Sequence, residues 1–185
     1  MAKRLLGLDI GPHRTHLVVL DYEKGQLSSV RLLESHAEGL AGQLAELCAA
    51  LAGDIHFGDR LAAALPARTA YVRHLDFPFQ DAKKIAAALP YELSAQVPVA
   101  VENCATASLQ ASTAADGSTL VTAAAVPKNI IDEILDPADA AGIPLHILDL
   151  SPFAFFAGLD DQVSDGILVS SNEAETTVSL IKAGR

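Results

Sequence analysis

Residues 5–20 constrain the fold of this chain more than any other stretch, because they predict a β-hairpin near its start. Their sequence, LLGLDIGPHRTHLVVL, contains two apolar runs separated by a turn at residues 9–12. A further turn at residues 21–25 leads to a third predicted strand at residues 26–33. A chain that opens with three antiparallel strands must form a sheet, and later elements must cover one of its faces.

The turn of the first hairpin carries residue types that suit a phosphate group. Asp9 ends the first strand, where its carboxylate could hold a magnesium-bound water, and Gly11 lets the backbone approach phosphate oxygens. Thr15 could add a hydroxyl or a backbone N–H. The same turn also suits an ordinary hairpin, and Pro12 has no N–H to donate. Two interpretations therefore stay open, a degenerate phosphate hairpin or a plain turn.

Composition places the chain among globular proteins and argues against several functions. Its 185 residues suffice for a real hydrophobic core, and no apolar run approaches the roughly 18 residues of a transmembrane helix. Asp9 interrupts the first apolar run, so we predict a soluble protein that is not secreted. With 13 basic against 23 acidic residues, the chain lacks the basic surface that nucleic acid requires.

The two cysteines give no sign of a metal site or a disulfide. Cys48 and Cys104 lie in unrelated elements and lack the spacing of metal ligands. We therefore predict buried, reduced thiols in a cytosolic protein, and no bound metal.

After the first three strands the pattern predicts a helix and then a buried strand. Ser35 and Glu38 form a predicted capping box, leucines recur at helical spacing up to Leu51, and Gly53 ends the helix. Residues 60–65 follow as a short buried strand. The order strand, strand, strand, helix, strand is that of a ribonuclease H-like subdomain of the actin type.

The middle of the chain predicts a second sheet with a helix. A strand at residues 69–76 leads into a helix from Asp81 onwards, and Pro90 should kink that helix. Residues 101–111 and 118–126 predict a hairpin.

The next elements are a helix and a strand. Pro127 predicts the start of the helix, Pro137 its end or a bend, and Gly142 its cap. Residues 145–150 predict a buried strand, in which His146 is expected to be a packed core histidine.

From residue 65 onwards, a series of short motifs resembles one family. The motifs are Leu65-Pro66, Pro78-Phe79, Asp81-Ala82-Lys83-Lys84-Ile85, Pro90-Tyr91-Glu92-Leu93, Val97-Pro98, Ala125-Val126-Pro127, Ala141-Gly142-Ile143, and Asp149 before a Phe-Ala helix. Because they recur in order over nearly the whole chain, the chain resembles the cytoplasmic actin-like domain of type II secretion system protein L (GspL). The type IV pilus assembly protein PilM is a close relative of that family, and the cell-division protein FtsA a more distant one.

The resemblance implies an α/β, actin-like (ribonuclease H-like, ASKHA) fold with a 1C-type inserted subdomain. Subdomain 1A would comprise residues 1–66 and 143–165, and subdomain 1C residues 67–142. Residues 166–185 predict one more hairpin, which would be the first hairpin of the second actin-like half. We therefore expect a piece of a longer protein, truncated after the start of that second half.

The resemblance also implies a function. The cytoplasmic domain of GspL is an adaptor that recruits the secretion ATPase GspE at the cytoplasmic face of the bacterial inner membrane. The expected partners are GspE, the platform proteins GspM and GspF, and a second copy of the chain, but not nucleic acid. Ser170, Ser171 and Asn172 stand where nucleotide-binding relatives carry a second Asp-x-Gly, which leaves Asp9 as the one metal-organising carboxylate. We therefore expect neither catalysis nor a cofactor in this fragment.

Two other functions stay open at this point. A PilM-like protein would bind ATP and grip the N-terminal peptide of a membrane partner. A kinase-type enzyme would use Mg-ATP through the three residues of the first hairpin.

Three aromatic side chains are candidates for partner binding. Phe77, Phe79 and Tyr91 are expected beside a groove between subdomain 1A and the kinked helix of subdomain 1C. The same residues could instead pack the core of subdomain 1C.

Overall fold

The computed structural model describes residues 3–11, 13–51, 59–140, 145–159, 165–171 and 175–182. Within these ranges the chain forms ten β-strands and four α-helices. The strands are β1 (Lys3–Ile10), β2 (Thr15–Glu23), β3 (Gln26–Ser35), β4 (Arg60–Leu65), β5 (Tyr71–Phe77), β6 (Cys104–Thr113), β7 (Thr119–Pro127), β8 (Leu145–Leu150), β9 (Asp165–Ser171) and β10 (Thr176–Lys182). The helices are α1 (Gly39–Ala50), α2 (Ala82–Ser94), α3 (Lys128–Ala140) and α4 (Ser151–Ala157). Of these described helices, none is long and apolar enough to cross a membrane.

The chain packs into two compact units. Unit 1 comprises Met1–Ala67 and Asp132–Gly184, and unit 2 comprises Arg68–Ile131. Helix α3 begins in unit 2 and has most of its length in unit 1. The finer division into subdomain 1A, subdomain 1C and the first hairpin of a second half stays a prediction.

Unit 1 is built on a five-stranded sheet with the order β3-β2-β1-β4-β8. Strands β1, β2 and β3 pair antiparallel, whereas β4 pairs parallel with both β1 and β8. This arrangement confirms the predicted succession of three strands, a helix and a strand. The strands β9 and β10 form a separate antiparallel hairpin, as predicted for the end of the chain.

The alternation of apolar residues decides which face of the five-stranded sheet is buried. Leu6 and Leu8 lie opposite Val19 and Leu17, and all four are buried on the same face, since side chains alternate along a strand. Helices α1 and α3 supply the apolar residues on that side, namely Leu44, Leu47, Leu51, Ile134 and Ala138.

The predicted capping box of α1 is wrong. Ser35 is the last residue of β3, where it lies opposite Thr15, and its buried hydroxyl donates to the carboxylate of Glu46. Glu38 occupies the N-cap position without a side-chain hydrogen bond, and Gly39 follows with a φ of 73°. Strand pairing holds Ser35 in the sheet, so the helix begins later than the local motif indicates. The predicted end of this helix at Gly53 lies outside the described residues.

Unit 2 contains a three-stranded antiparallel sheet with the order β5-β7-β6, packed against α2. The spacing of Ile85, Leu89 and Leu93 buries one face of α2. Asp81 caps the helix, because its carboxylate accepts hydrogen bonds from two backbone N–H groups of the first turn. The helix continues through Pro90 and ends at Ser94.

Two predicted boundaries in this region are wrong. Val101–Asn103 forms a 3-10 turn, so the strand that begins there in the prediction starts only at Cys104. Pro127 ends β7, where it lies opposite Cys104, and does not open α3. A proline is tolerated there because β5 pairs with β7 only as far as Ala125, so Pro127 has a neighbouring strand on one side only. Helix α3 runs through Pro137 to Ala140, and the predicted cap at Gly142 lies outside the described residues.

The strand β8 is less buried than its apolar sequence predicts. Ile147 is 60% exposed, and only Leu150 is fully buried. His146 is exposed, which contradicts the prediction of a packed core histidine, and its Nδ1 accepts a hydrogen bond from the Leu61 N–H at 3.3 Å. An edge strand such as β8 has a neighbour on one side only, so the hydropathy of a run does not determine its burial.

The N-caps of α1 and α2 offer a matched pair for mutation. Replacing Asp81 by alanine removes the bonds to the N–H groups of Lys83 (2.8 Å) and Lys84 (3.2 Å), and should lower the free energy of unfolding by about 0.5–2 kcal/mol. Replacing Glu38 by alanine should change it by less than about 0.5 kcal/mol, because that side chain makes no cap bond. Urea denaturation followed by circular dichroism measures both, and equal losses would contradict the assignment.

Candidate functional site

A cleft of about 180 Å³ lies in unit 1, at the carboxyl end of β1. The first hairpin contributes Asp9, Gly11 and Arg14 to its lining, and α4 contributes Ser151 and Phe155. The hairpin of β9 and β10 completes the lining with hydroxyl and carboxylate groups. This is the place in an open α/β sheet where ligands bind, because the carboxyl ends of parallel strands leave a crevice there.

Gly11 closes the hairpin turn. Its N–H donates to the carbonyl oxygen of Arg14 at 3.0 Å. A Cβ at position 11 would lie 2.6 Å from the same oxygen, so the turn requires a glycine. The N–H of Gly11 is therefore used within the turn itself. Pro12, which the sequence places in the same turn, lies outside the described residues.

Asp9 and Thr15 take different positions. The side chain of Asp9 is 56% exposed and lines the cleft. Thr15 is 0% exposed, and its hydroxyl donates to the side-chain oxygen of Gln43 at 2.5 Å. Gln43 in turn donates to the carbonyl oxygen of Ala37 at 3.1 Å, which ties β2 to the start of α1. Of the three predicted hairpin residues, Asp9 and Gly11 line the cleft and Thr15 does not.

Charged side chains gather around Glu34 on the neighbouring strand β3. One oxygen of Glu34 lies 3.4 Å from Arg14, 3.2 Å from His16 and 3.3 Å from His36. His16 also lies 4.0 Å from the carboxylate of Asp9. The guanidinium group of Arg14 therefore lies close to Glu34, while Arg14 also lines the cleft.

Glu175 is a cleft residue that the sequence analysis missed. Its carboxylate lines the cleft and accepts a hydrogen bond from the N–H of Ala67 at 3.0 Å. The expectation that Asp9 is the one carboxylate at this site is therefore wrong. The contact joins residues 108 positions apart, so no local motif could have indicated it.

The second hairpin fills the remaining wall with hydroxyl groups. Ser170 and Ser171 line the cleft at the position expected for a second phosphate motif, and Asn172 lies outside the described residues. The hydroxyl of Ser171 is hydrogen-bonded to that of Thr176 at 2.8 Å, and Ser151 donates to the carbonyl oxygen of Leu65 at 3.0 Å. Among the described residues, no group of three or more histidine, cysteine, aspartate or glutamate side chains could hold a metal ion.

The three predicted partner-binding aromatics lie in unit 2 but do not share one surface. Phe77 is 2% exposed and belongs to the core, and the Phe79 ring packs against it with 5.7 Å between the ring centroids. Tyr91 is 78% exposed on α2. Core packing accounts for the phenylalanines, whereas Tyr91 is accessible to a partner.

Cys48 and Cys104 are free thiols in the structure. Cys104 is buried, and Cys48 is half-buried between α1 and the sheet. Burial raises the pKa of the Cys48 thiol, because the protein interior disfavours the thiolate. A thiol of this kind is a poor nucleophile and a poor metal ligand.

The class of protein follows from the fold described above, which is actin-like. Among solved structures, the PilM-PilN type IV pilus biogenesis complex has a chain that matches with a TM-score of 0.78 and 18% identity, over 97% of this chain and 58% of that one. The cytoplasmic domain of EpsL, an inner membrane component of the type II secretion system of Vibrio cholerae, matches with a TM-score of 0.68 and 14% identity, over 99% of this chain and 69% of that one. A Bacteroides thetaiotaomicron protein with an actin-like ATPase fold and unknown function matches with a TM-score of 0.52 and 10% identity, over 98% of this chain and 66% of that one.

These matches confirm the predicted fold class and, at the level of the fold, the resemblance to GspL and PilM. The chain spans 58% of the length of the PilM structure. No protein-family model matches this sequence, and no curated protein matches it.

The turn at Gly11 can be tested against Gly7, a glycine within strand β1. Replacing Gly11 by alanine should lower the free energy of unfolding by at least about 1 kcal/mol, because the new Cβ would collide with the backbone oxygen of Arg14. Replacing Gly7 by alanine should be neutral or slightly stabilising, since no atom lies within 4 Å of a Cβ there. Thermal denaturation of both variants measures the difference, and a tolerated alanine at position 11 would contradict the described turn.

Proposed function

We propose that this chain is a non-catalytic scaffold of a type II secretion inner-membrane platform and recruits the secretion ATPase GspE. It would act at the cytoplasmic face of the inner membrane, with GspM, GspF and a second copy of the chain as further partners. The observation that carries the proposal is that two of the three polar groups of the predicted phosphate hairpin already have partners within the protein. The Gly11 N–H donates to the carbonyl oxygen of Arg14 and the Thr15 hydroxyl donates to the side chain of Gln43, whereas the Asp9 carboxylate is exposed in the cleft.

The size and charge of the cleft support a role without a nucleotide. Its volume of about 180 Å³ is below the roughly 300–1,000 Å³ of typical small-molecule pockets. Its lining contains two carboxylates, Asp9 and Glu175, next to one arginine, Arg14. Two negative groups repel a phosphate unless a cation neutralises them.

The charge distribution supports a protein partner. Unit 2 contains five basic and five acidic residues, so the formal charge of −10 belongs to the remainder of the chain. Part of it lies on α3, whose exposed acidic residues are Asp132, Glu133, Asp136 and Asp139. An acidic surface of this kind steers a basic protein partner towards itself and repels nucleic acid.

The known roles of the structural neighbours agree with an assembly function. EpsL is an inner membrane component of a secretion system, and the PilM structure is that of a complex with PilN. At 14% and 18% identity these similarities show a shared fold only. That this chain has an assembly role is therefore part of the proposal.

A PilM-like ATP-binding protein is the alternative, and one observation favours it. Asp9 is exposed and shares the cleft with Glu175, so two carboxylates could hold the hydrated magnesium ion of Mg-ATP. In that case the protein would grip the N-terminal peptide of a membrane partner.

Mg-ATP binding separates the two functions. Isothermal titration calorimetry of the chain with Mg-ATP should give no binding heat, and Mg-ATP should leave the melting temperature unchanged. Ligand at a hundredfold excess over its dissociation constant would add about 2.7 kcal/mol to the stability. Micromolar binding that is lost in an Asp9→Ala variant and retained in Asp116→Ala would overturn the scaffold proposal in favour of the alternative.

Recruitment of the ATPase is the second test. Purified GspE from the same genome should be retained by the immobilised chain, and binding should weaken as salt is added, because the scaffold surface is acidic. An unrelated protein of similar negative charge serves as the control for non-specific attraction. Absence of retention at low salt would remove the main support for the adaptor function.

A further inference from the structure

The two edge strands of the unit 2 sheet differ in their protection against pairing with a strand of another chain. Strand β5 carries Arg73, His74 and Asp76, and charged side chains of this kind deter pairing with another chain. Strand β6, with the sequence CATASLQAST, contains neither a charged residue nor a proline. Its outer edge therefore offers backbone N–H and C=O groups without the usual protection.

Helix α2 leaves β6 uncovered beyond Cys104, which is buried in the same cluster as the apolar face of the helix. The buried face of α2 packs with residues of β5 and β7, among them Leu75, Ala123 and Ala125. Thr106 and Ser108 lie opposite Ala125 and Ala123, so they share the sheet face that α2 covers. Both are nevertheless exposed, because the helix does not extend over the edge strand.

The uncovered strip forms one wall of an open groove of about 480 Å³. Pro90, Tyr91 and Ser94 of α2 line one side, and Thr106 lies on the side of β6. Glu102, which is exposed, is the one carboxylate in the lining. Lys128, outside the lining, donates from its Nζ to the backbone carbonyl oxygen of Glu102 at 2.9 Å, and no ion pair of the Glu102 carboxylate is seen among the described residues. This carboxylate can therefore accept a basic side chain of an occupant.

The exposed apolar residues of unit 2 lie on the two faces of the same edge. Within the described part of residues 68–131, the large apolar side chains that are exposed are Tyr91 (78%) and Leu109 (63%). Tyr91 lines the groove. Leu109 is three residues from Thr106 along β6, so its side chain lies on the opposite face of the sheet. An added strand would bury both, because its side chains alternate between the two faces.

We propose that β6 binds an extended peptide segment of a partner protein as a fourth strand of the unit 2 sheet. The segment would pair with residues 104–110, place a basic side chain near Glu102, and cover Tyr91 on one face and Leu109 on the other. Pairing ends there because a β-bulge between Gln110 and Ser112 interrupts the ladder. The inference rests on the adaptor role proposed above. It specifies the surface that binds the partner and the kind of segment that is bound.

A synthetic peptide tests this pairing directly. The probe is a fluorescein-labelled peptide of about eight residues, the length of a typical strand, with one lysine followed by alternating valine and threonine. Fluorescence anisotropy should show binding to the whole chain, and NMR should show amide shifts centred on β6. A second peptide with a central proline, which cannot form the ladder, should not bind. Equal binding of the two peptides would overturn the proposal.

Variants at the two edges provide the controls. Thr106→Lys places a positive charge in the groove and should weaken binding by roughly tenfold or more, because like charges then meet. His74→Lys puts the same charge on β5 and should leave binding unchanged. Glu102→Gln should weaken it by roughly two- to fivefold, as expected for an exposed ion pair. Positions 74, 102 and 106 are exposed, and unchanged melting temperatures would show that the variants fold.

The same variants separate this inference from the adaptor proposal. If GspE binds the wild-type chain and Thr106→Lys equally well, the adaptor function stands and the β6 surface is wrong. If sedimentation shows that the chain dimerises and Thr106→Lys makes it monomeric, the occupant is a second copy, which also overturns the proposal. Loss of GspE binding in Thr106→Lys but not in His74→Lys is the expected result.

Discussion

The parallel pairing of β4 with both β1 and β8 is the interaction on which the rest of unit 1 depends. Because these strands run in the same direction, their carboxyl ends meet at one edge of the sheet, where Asp9 lies opposite Ala64 and Ala64 lies opposite Asp149. The groups that close the cleft converge at this edge from distant parts of the chain. Ser151 reaches the carbonyl oxygen of Leu65, and Glu175 reaches the N–H of Ala67.

The two units differ in whether their exposed or ligand-binding polar groups already have hydrogen-bond partners. In unit 1, the Gly11 N–H and the Thr15 hydroxyl, two groups that could bind a phosphate, are hydrogen-bonded to Arg14 and Gln43, so a ligand would have to replace existing bonds. In unit 2, β6 has a partner strand on one side only and leaves its other edge open.

Sequence patterns predicted those parts of the fold that are held by local interactions. The hairpin of β1 and β2 and the helix α2 that follows Asp81 appear in the structure as predicted. The errors occur where a distant partner competes with a local signal. Ser35 pairs in the sheet and does not cap α1, and Pro127 ends a strand and does not open a helix. His146 is exposed because β8 is an edge strand, a position that hydropathy does not report.

By itself, the sequence determined the order and type of most elements, the first hairpin with Gly11 in its turn, and an acidic net charge. The tertiary structure alone decided that Glu175 joins Asp9 in one cleft, that Thr15 is turned away from it, and that β6 rather than β5 has the unprotected edge. The reason is that periodicity and caps depend on neighbours within a few residues. Which polar groups are already paired, and which strand lies at an edge, depends on contacts between residues far apart in the chain.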